Sequence, residues 1–156
     1  MADEPRDRPA IAAPPPLIYA GGLALGYLVE RFAPSAMFPD PVGQYSGWLL
    51  IFIGILVMVL GLLAFHRART PVNPYASTTA LVTDGPFRFS RNPLYLALTA
   101  IYLGATVLLD SLWPVLFLPG VLWLMHWGVI LREERYLERK FGDDYLEYKA
   151  KVGRWL

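Results

Sequence analysis

The sequence predicts an all-α integral membrane protein: a bundle of about four transmembrane helices with a cytoplasmic loop and C-terminal cytoplasmic helices beside it. Three observations carry that prediction. The 156 residues are 55% hydrophobic and 17% charged, with a mean hydropathy of +0.38. A soluble domain is usually about one-quarter charged, so a soluble all-helical core is the weaker reading. The apolar residues fall into four runs bounded by charge and proline. Thirteen of the 14 Lys and Arg lie in segments that four crossings place on one face. The positive-inside rule makes that face cytoplasmic, both termini included.

Length allows one domain, 17–156, after a tail at 1–16. The tail mixes acids, arginines and prolines with no secretory pattern. Pro14, Pro15 and Pro16 read as a stiff extended spacer outside any helix. The first span, about 17–32, carries Gly22 and Gly26 one turn apart, which lets a neighbouring helix approach closely. A connector at 33–43 follows, with Met37 and Phe38 dipping into the interface. The second span, about 45–65, is uncharged; Tyr45 and Trp48 open it as an aromatic belt, and His66, Arg67 and Arg69 close it.

The segment 71–92 is a long polar connector, a length that usually signals function or disorder. The third span, about 93–109, starts with Asn92 as cap and Pro93 at the first helical position. Ala100 and Gly104 give it a small face. Asp110 and Ser111 reverse the chain, Ser111 capping the fourth span at about 112–131. The third and fourth spans form a helical hairpin, bent at Pro119-Gly120. Residues 132–140 continue the last helix out of the membrane until Phe141-Gly142 breaks it. A final short helix follows, with Asp144 and Glu147 at capping-box spacing. Its Tyr145 and Tyr148 either lie along the membrane surface or cover the connector.

Chemistry concentrates in two polar blocks, 81–95 and 132–148. Gly85-Pro86 forces a turn whose N–H groups can face a ligand. Arg88 and Arg91 offer charge to a carboxylate or phosphate, and the helix start at Asn92 favours anions. Glu133 and Glu134 sit just beyond a span, about 100° apart on a helix, where a cationic ammonium or sulfonium group is stabilised. His126 lies seven residues before Glu133, on nearly the same face; packing and catalysis are both open to it. The absence of Cys excludes disulfides and thiolate chemistry. His66 and His126 lack ligand spacing for a metal, and no basic stripe suits nucleic acid.

The stretch LVTDGPFRFSRNPLYLA, followed after a hydrophobic hairpin by EERYLERKFGDDYLEYKAKVGRWL, resembles the isoprenylcysteine carboxyl methyltransferase family. It is also similar to the wider group that includes phospholipid N-methyltransferases. The similarity covers residues 81–155. It implies an integral membrane methyltransferase that uses S-adenosylmethionine and takes a lipophilic acceptor from the bilayer. By resemblance, Val82 and Gly85 line the cofactor, and Asn92, Tyr95 and Leu96 contact it. Glu133 and Glu134 lie near its amino-acid end, Glu134 also standing as a base should the acceptor be an amine. Arg91 faces an acceptor carboxylate, and Arg154 matches a C-terminal Arg of the family. This sequence departs from the family at Asn92, usually His, and at Ala97, commonly Gly. A phospholipid amine methyltransferase and a non-enzymatic lipid-binding scaffold are the alternatives.

Overall fold

The computed structural model describes residue 9 and residues 11–36, 42–73 and 76–156. Among them are helices and irregular segments and no strand. Helix α1 spans Pro15–Phe32, α2 Val42–Arg67, α3 Pro93–Leu108 and α4 Trp113–Met125. A π-turn at His126–Ile130 joins α4 directly to α5, Leu131–Phe141, and α6 spans Asp143–Lys151. A short 3₁₀ turn, Gly85–Arg88, interrupts the long connector. The expected interfacial placement of Met37 and Phe38 lies outside the described residues.

Glycine decides which helices pair. Gly47, Gly54 and Gly61 recur every seven residues, two turns, and so share one face of α2. A Cβ on them would stand 2.8 Å from Leu108, 2.6 Å from Ile101 and 2.5 Å from Leu94 respectively. Helix α3 therefore lies along α2 at backbone distance. In the same way Gly22 and Gly26 admit Val121 and Pro114 of α4, with would-be contacts of 2.4 and 2.6 Å. The hairpin expected between the third and fourth spans is thus not a packed unit. Helix α3 packs chiefly on α2 and α4 on α1, while α3 and α4 share little surface. Tyrosines tie the two pairs together. The Tyr19 hydroxyl bonds Thr99 at 2.8 Å, and the Tyr102 hydroxyl donates to the Pro114 carbonyl at 2.6 Å.

Several local expectations give way. Pro15 and Pro16 start α1 instead of preceding it, because first-turn positions need no N–H donor. Helix α4 runs through Pro119, and the departure from α geometry comes later, at the π-turn. Ser111 does not cap α4; its hydroxyl donates to Glu30 at 2.6 Å, tying the end of α1 to the 110–112 turn. No capping box forms at Asp144, because Gly142, at φ +53, is already the residue before α6. The tail packs where it is described: Ile11 is buried with Met125 and Val129, and the Ala12 N–H donates to the Gly128 carbonyl at 2.9 Å.

Among the described residues, two helices are long and apolar enough to cross a membrane: Gly43–Arg67, and Trp113–Phe141 taken as one rod. The apolar part of that rod ends at Leu131, since charge begins at Arg132. Their large apolar side chains face outward: Trp48 is 60% exposed, Phe52 64% and Trp123 62%. A soluble core helix would bury such residues. Gly54→Val should drive α2 from α3 and lower the thermal midpoint in detergent, costing about 1–3 kcal/mol. Gly21→Val, with nothing within 4 Å, serves as the control. Equal midpoints for the two variants would mean that the glycine face does not set the α2–α3 distance.

Candidate functional site

The connector is anchored before it reaches the site. Gly85 adopts φ +60, a conformation glycine reaches without strain, and this opens the 3₁₀ turn. Phe87 then buries against Ala64 and meets Phe65 edge-on, centroids 5.4 Å apart. The Tyr148 hydroxyl of α6 donates to the Phe87 carbonyl at 2.7 Å. Of the two placements open to the last helix, covering the connector is the one adopted.

Residues 90–92 dock on the C-terminal tail. The Arg91 N–H donates to the Gly153 carbonyl at 3.0 Å. The Arg154 carbonyl accepts from the Asn92 amide at 2.9 Å and from the Ser90 hydroxyl at 3.3 Å. Asn92 stands at the cap position of α3, yet its side chain does not cap. Pro93 has already removed one first-turn donor, and the Asn92 amide serves the tail instead.

The tail in turn places a guanidinium. Arg154 donates from Nε and Nη2 to the two Glu134 oxygens at 2.9 and 2.8 Å. Arg91 Nη1 reaches the same carboxylate at 3.0 Å and the Tyr145 hydroxyl at 3.3 Å. The Arg91 and Glu134 side chains are only 9% and 8% exposed. Burial pushes the Glu134 carboxyl up, but the Arg154 hydrogen bond and the charges of Arg91, Arg154 and Lys149 outweigh it, leaving its pKa below the ordinary value. Arg91 Nε is buried with no partner among the described residues, so one donor of a shared cation is left over.

Glu133 is held differently. The Tyr95 hydroxyl lies 2.7 Å from both of its oxygens. Burial pushes the Glu133 carboxyl up to about 7, the Tyr95 hydrogen bond opposing the rise and the charge on Glu134 adding to it. Two adjacent carboxyls thus differ because two arginines compensate the charge of one, while burial raises the other.

Both face a cavity of about 320 Å³, within the range of small-molecule sites. Arg91, Asn92, Glu133, Glu134 and Tyr145 give it polar groups; Met58, Leu62, Leu94 and Leu98 of α2 and α3 give it apolar surface. Of the residues singled out in the sequence, Val82, Arg91, Asn92, Tyr95, Glu133 and Glu134 border this cavity.

Four others do not. Leu96, one residue beyond Tyr95 and so about 100° around the helix, borders a separate groove with His126, Trp127 and Trp155. Gly85 shapes the turn without reaching the cavity. Arg154 acts on it through Glu134. Arg88 is solvent-exposed, 3.7 Å from Asp84. His126 does not share the Glu133 face, because the intervening π-turn breaks the 3.6-residue register. Sequence reasoning missed the walls made by Met58 and Leu62, and by Pro9, Pro15 and Pro16. Apolar residues in a span and prolines in a tail carry no local signal of a cavity.

The phospholipid methyltransferase family matches residues 42–144 of the chain. A protein-S-isoprenylcysteine O-methyltransferase of Saccharomyces cerevisiae is 31% identical over 81% of this chain and 58% of its own length. Its counterpart in Schizosaccharomyces pombe is 39% identical over 46% of this chain and 30% of its own. The chain thus spans less than two-thirds of these curated relatives. A nickel-cobalt-cadmium resistance protein of Alcaligenes xylosoxydans xylosoxydans is 31% identical over 88% of this chain and 68% of its own length.

Glu134→Gln should strip the buried Arg91 of its counter-charge and free the tail, at a cost of about 3–5 kcal/mol. The Glu134 pKa is depressed in the folded state. Its contribution is therefore present above the ordinary carboxylate pKa and lost as pH falls through the folded value. Thermal midpoints against pH in detergent should show an acid limb in the parent that is flattened in Glu134→Gln. Parallel curves would remove the ion triad as its origin.

Proposed function

The chain belongs to the phospholipid methyltransferase family, and on that premise we propose that it is an integral membrane, S-adenosylmethionine-dependent methyltransferase. Its acceptor is lipophilic, and the favoured one is the carboxylate of an isoprenylcysteine-like thioether. Residues 17–156 act as one unit crossing the bilayer four times, with α1 and α3 carried by their long partners α4 and α2. Both termini and the cavity then face the cytoplasm, in accord with the distribution of Lys and Arg.

One observation carries this reading: a buried arginine, Arg91, keeps an Nε–H with no partner among the described residues, beside a cavity lined by both charged and apolar side chains. The donor set fits the cofactor. The Asn92 amide suits a carboxylate, and Glu133, whose charge is costly when alone, suits an ammonium or sulfonium group. Val82 and Tyr95 border the same space. Gly85 sets the turn, while Leu96 and Arg154 support from outside the cavity.

S-adenosylmethionine, when bound, supplies an electrophilic methyl group. The chain's part is orientation and exclusion of water, which can contribute several kcal/mol. An acceptor carboxylate is ionised at neutral pH, so no general base is needed. That methyl would pass to a carboxylate oxygen, the sulfur keeping the bonding pair. Arg91 aligns the carboxylate; its partial commitment to Glu134 keeps it from neutralising the nucleophile.

Arg91→Ala should abolish carboxyl methylation in membranes supplied with labelled cofactor and a prenyl thioether carboxylate. The label should leave with base, as methyl esters do; a base-stable label on phospholipid would favour the amine methyltransferase. Full turnover in Arg91→Ala would remove that residue from the mechanism.

Glu133 supplies a pH test. A cationic ligand favours its ionised form, so cofactor affinity should fall as pH drops below about 7. Binding near neutral pH should then release a proton, seen by calorimetry in buffers of different ionisation heat. Glu133→Gln should bind more weakly and lose the dependence. A Gln variant with the parent's pH profile would place the cation elsewhere.

A further inference from the structure

Part of the cavity's lining precedes the family match. The match begins at residue 42, yet Pro9, Pro15 and Pro16 border the cavity on the α1 side. Pro9 and Pro15 are buried. Two contacts on the rod formed by α4, the π-turn and α5 hold this segment. Ile11, 8% exposed, packs with Met125 and Val129. The Ala12 N–H donates to the carbonyl of Gly128 within the π-turn at 2.9 Å. Gly128 permits the approach, since a Cβ there would lie 3.3 Å from that of Ala12.

The chemistry of the wall separates the two ligands. Proline has no N–H, so its rings offer surface and no donor. The cavity's donors and charges come instead from Arg91, Asn92, Glu133 and Glu134. An apolar chain gains by lying against prolines, Met58 and Leu62; a charged amino-acid group does not.

We propose that Pro9 and residues 11–16 form the acceptor-facing wall and set which apolar chains the site admits. The acceptor's class rests on the reading given under Proposed function. The latch is one side chain in the bundle core and one main-chain hydrogen bond to the π-turn, and through it this part of the chain tunes acceptor choice.

The test uses the full chain in detergent micelles, with affinities for (octylthio)acetate, (dodecylthio)acetate, (hexadecylthio)acetate and S-adenosylmethionine read by calorimetry. Ile11→Asp should unlatch the wall and shift the ratio of Kd between the longest and shortest thioacetates by about tenfold, with S-adenosylmethionine affinity unchanged. Ile11→Ala takes its place if the Asp variant does not fold. The chain has no cysteine, so Ala12→Cys with Gly128→Cys can be cross-linked cleanly; their Cβ spacing lies close to the roughly 3.5–4.5 Å of a disulfide. The oxidised pair should keep the parent's chain-length ratio.

An unchanged ratio on unlatching overturns the proposal. So does a parallel loss of cofactor affinity, which would assign the wall to the cofactor, and so does failure of the pair to cross-link. If thioacetates bind and no methyl is transferred, the functional reading fails and the wall stands. If none binds, the wall fails.

Discussion

One carboxylate, Glu134, ties together three parts of the chain that lie far apart in sequence. It sits on α5, takes Arg91 from the connector and Arg154 from the tail, and is almost wholly buried while doing so. A buried ion pair is costly unless every charge is compensated. Two guanidiniums on one carboxylate leave a surplus of positive charge, and the unpartnered Arg91 Nε is its visible end. The same arrangement that closes the cytoplasmic face therefore leaves an anion-seeking donor beside the cavity.

Backbone contacts make the triad rigid. The carbonyls of Gly153 and Arg154 accept from residues 90–92, so the tail is a strap whose side chain points inward. Asn92, where the resembling family usually has His, acts here through its amide on that strap. Glu133, one residue before Glu134, faces the Tyr95 phenol instead, and the 100° step of the helix separates a carboxylate held ionised from one near neutral titration. Binding a zwitterionic or sulfonium ligand draws on both.

The helices supply distance control. Glycines on α2 bring α3 to backbone contact, which sets where Asn92 and Tyr95 begin. Glycines on α1 seat α4, and the π-turn then rotates α5 out of the register that α4 would have imposed. That rotation sends His126 to a separate groove and Glu133 to the cavity. The Gly128 carbonyl in the π-turn also receives the N-terminal segment, so one irregularity serves two boundaries of the site.

The sequence by itself determined the helical character and the limits of the four apolar runs, because hydrophobic length and bounding charge or proline are local properties. It also pointed to Arg91, Asn92, Tyr95, Glu133 and Glu134, since charge beside a span is expensive unless used. Only the tertiary structure decided the partners. The α2–α3 pairing depended on Gly47, Gly54 and Gly61 all facing one neighbour. The ordering of Ile11 and Ala12 depended on a carbonyl more than a hundred residues away, and the exclusion of Leu96 and His126 on helix phase. Such outcomes are set by what stands opposite a residue in space, which composition and periodicity along the chain do not encode.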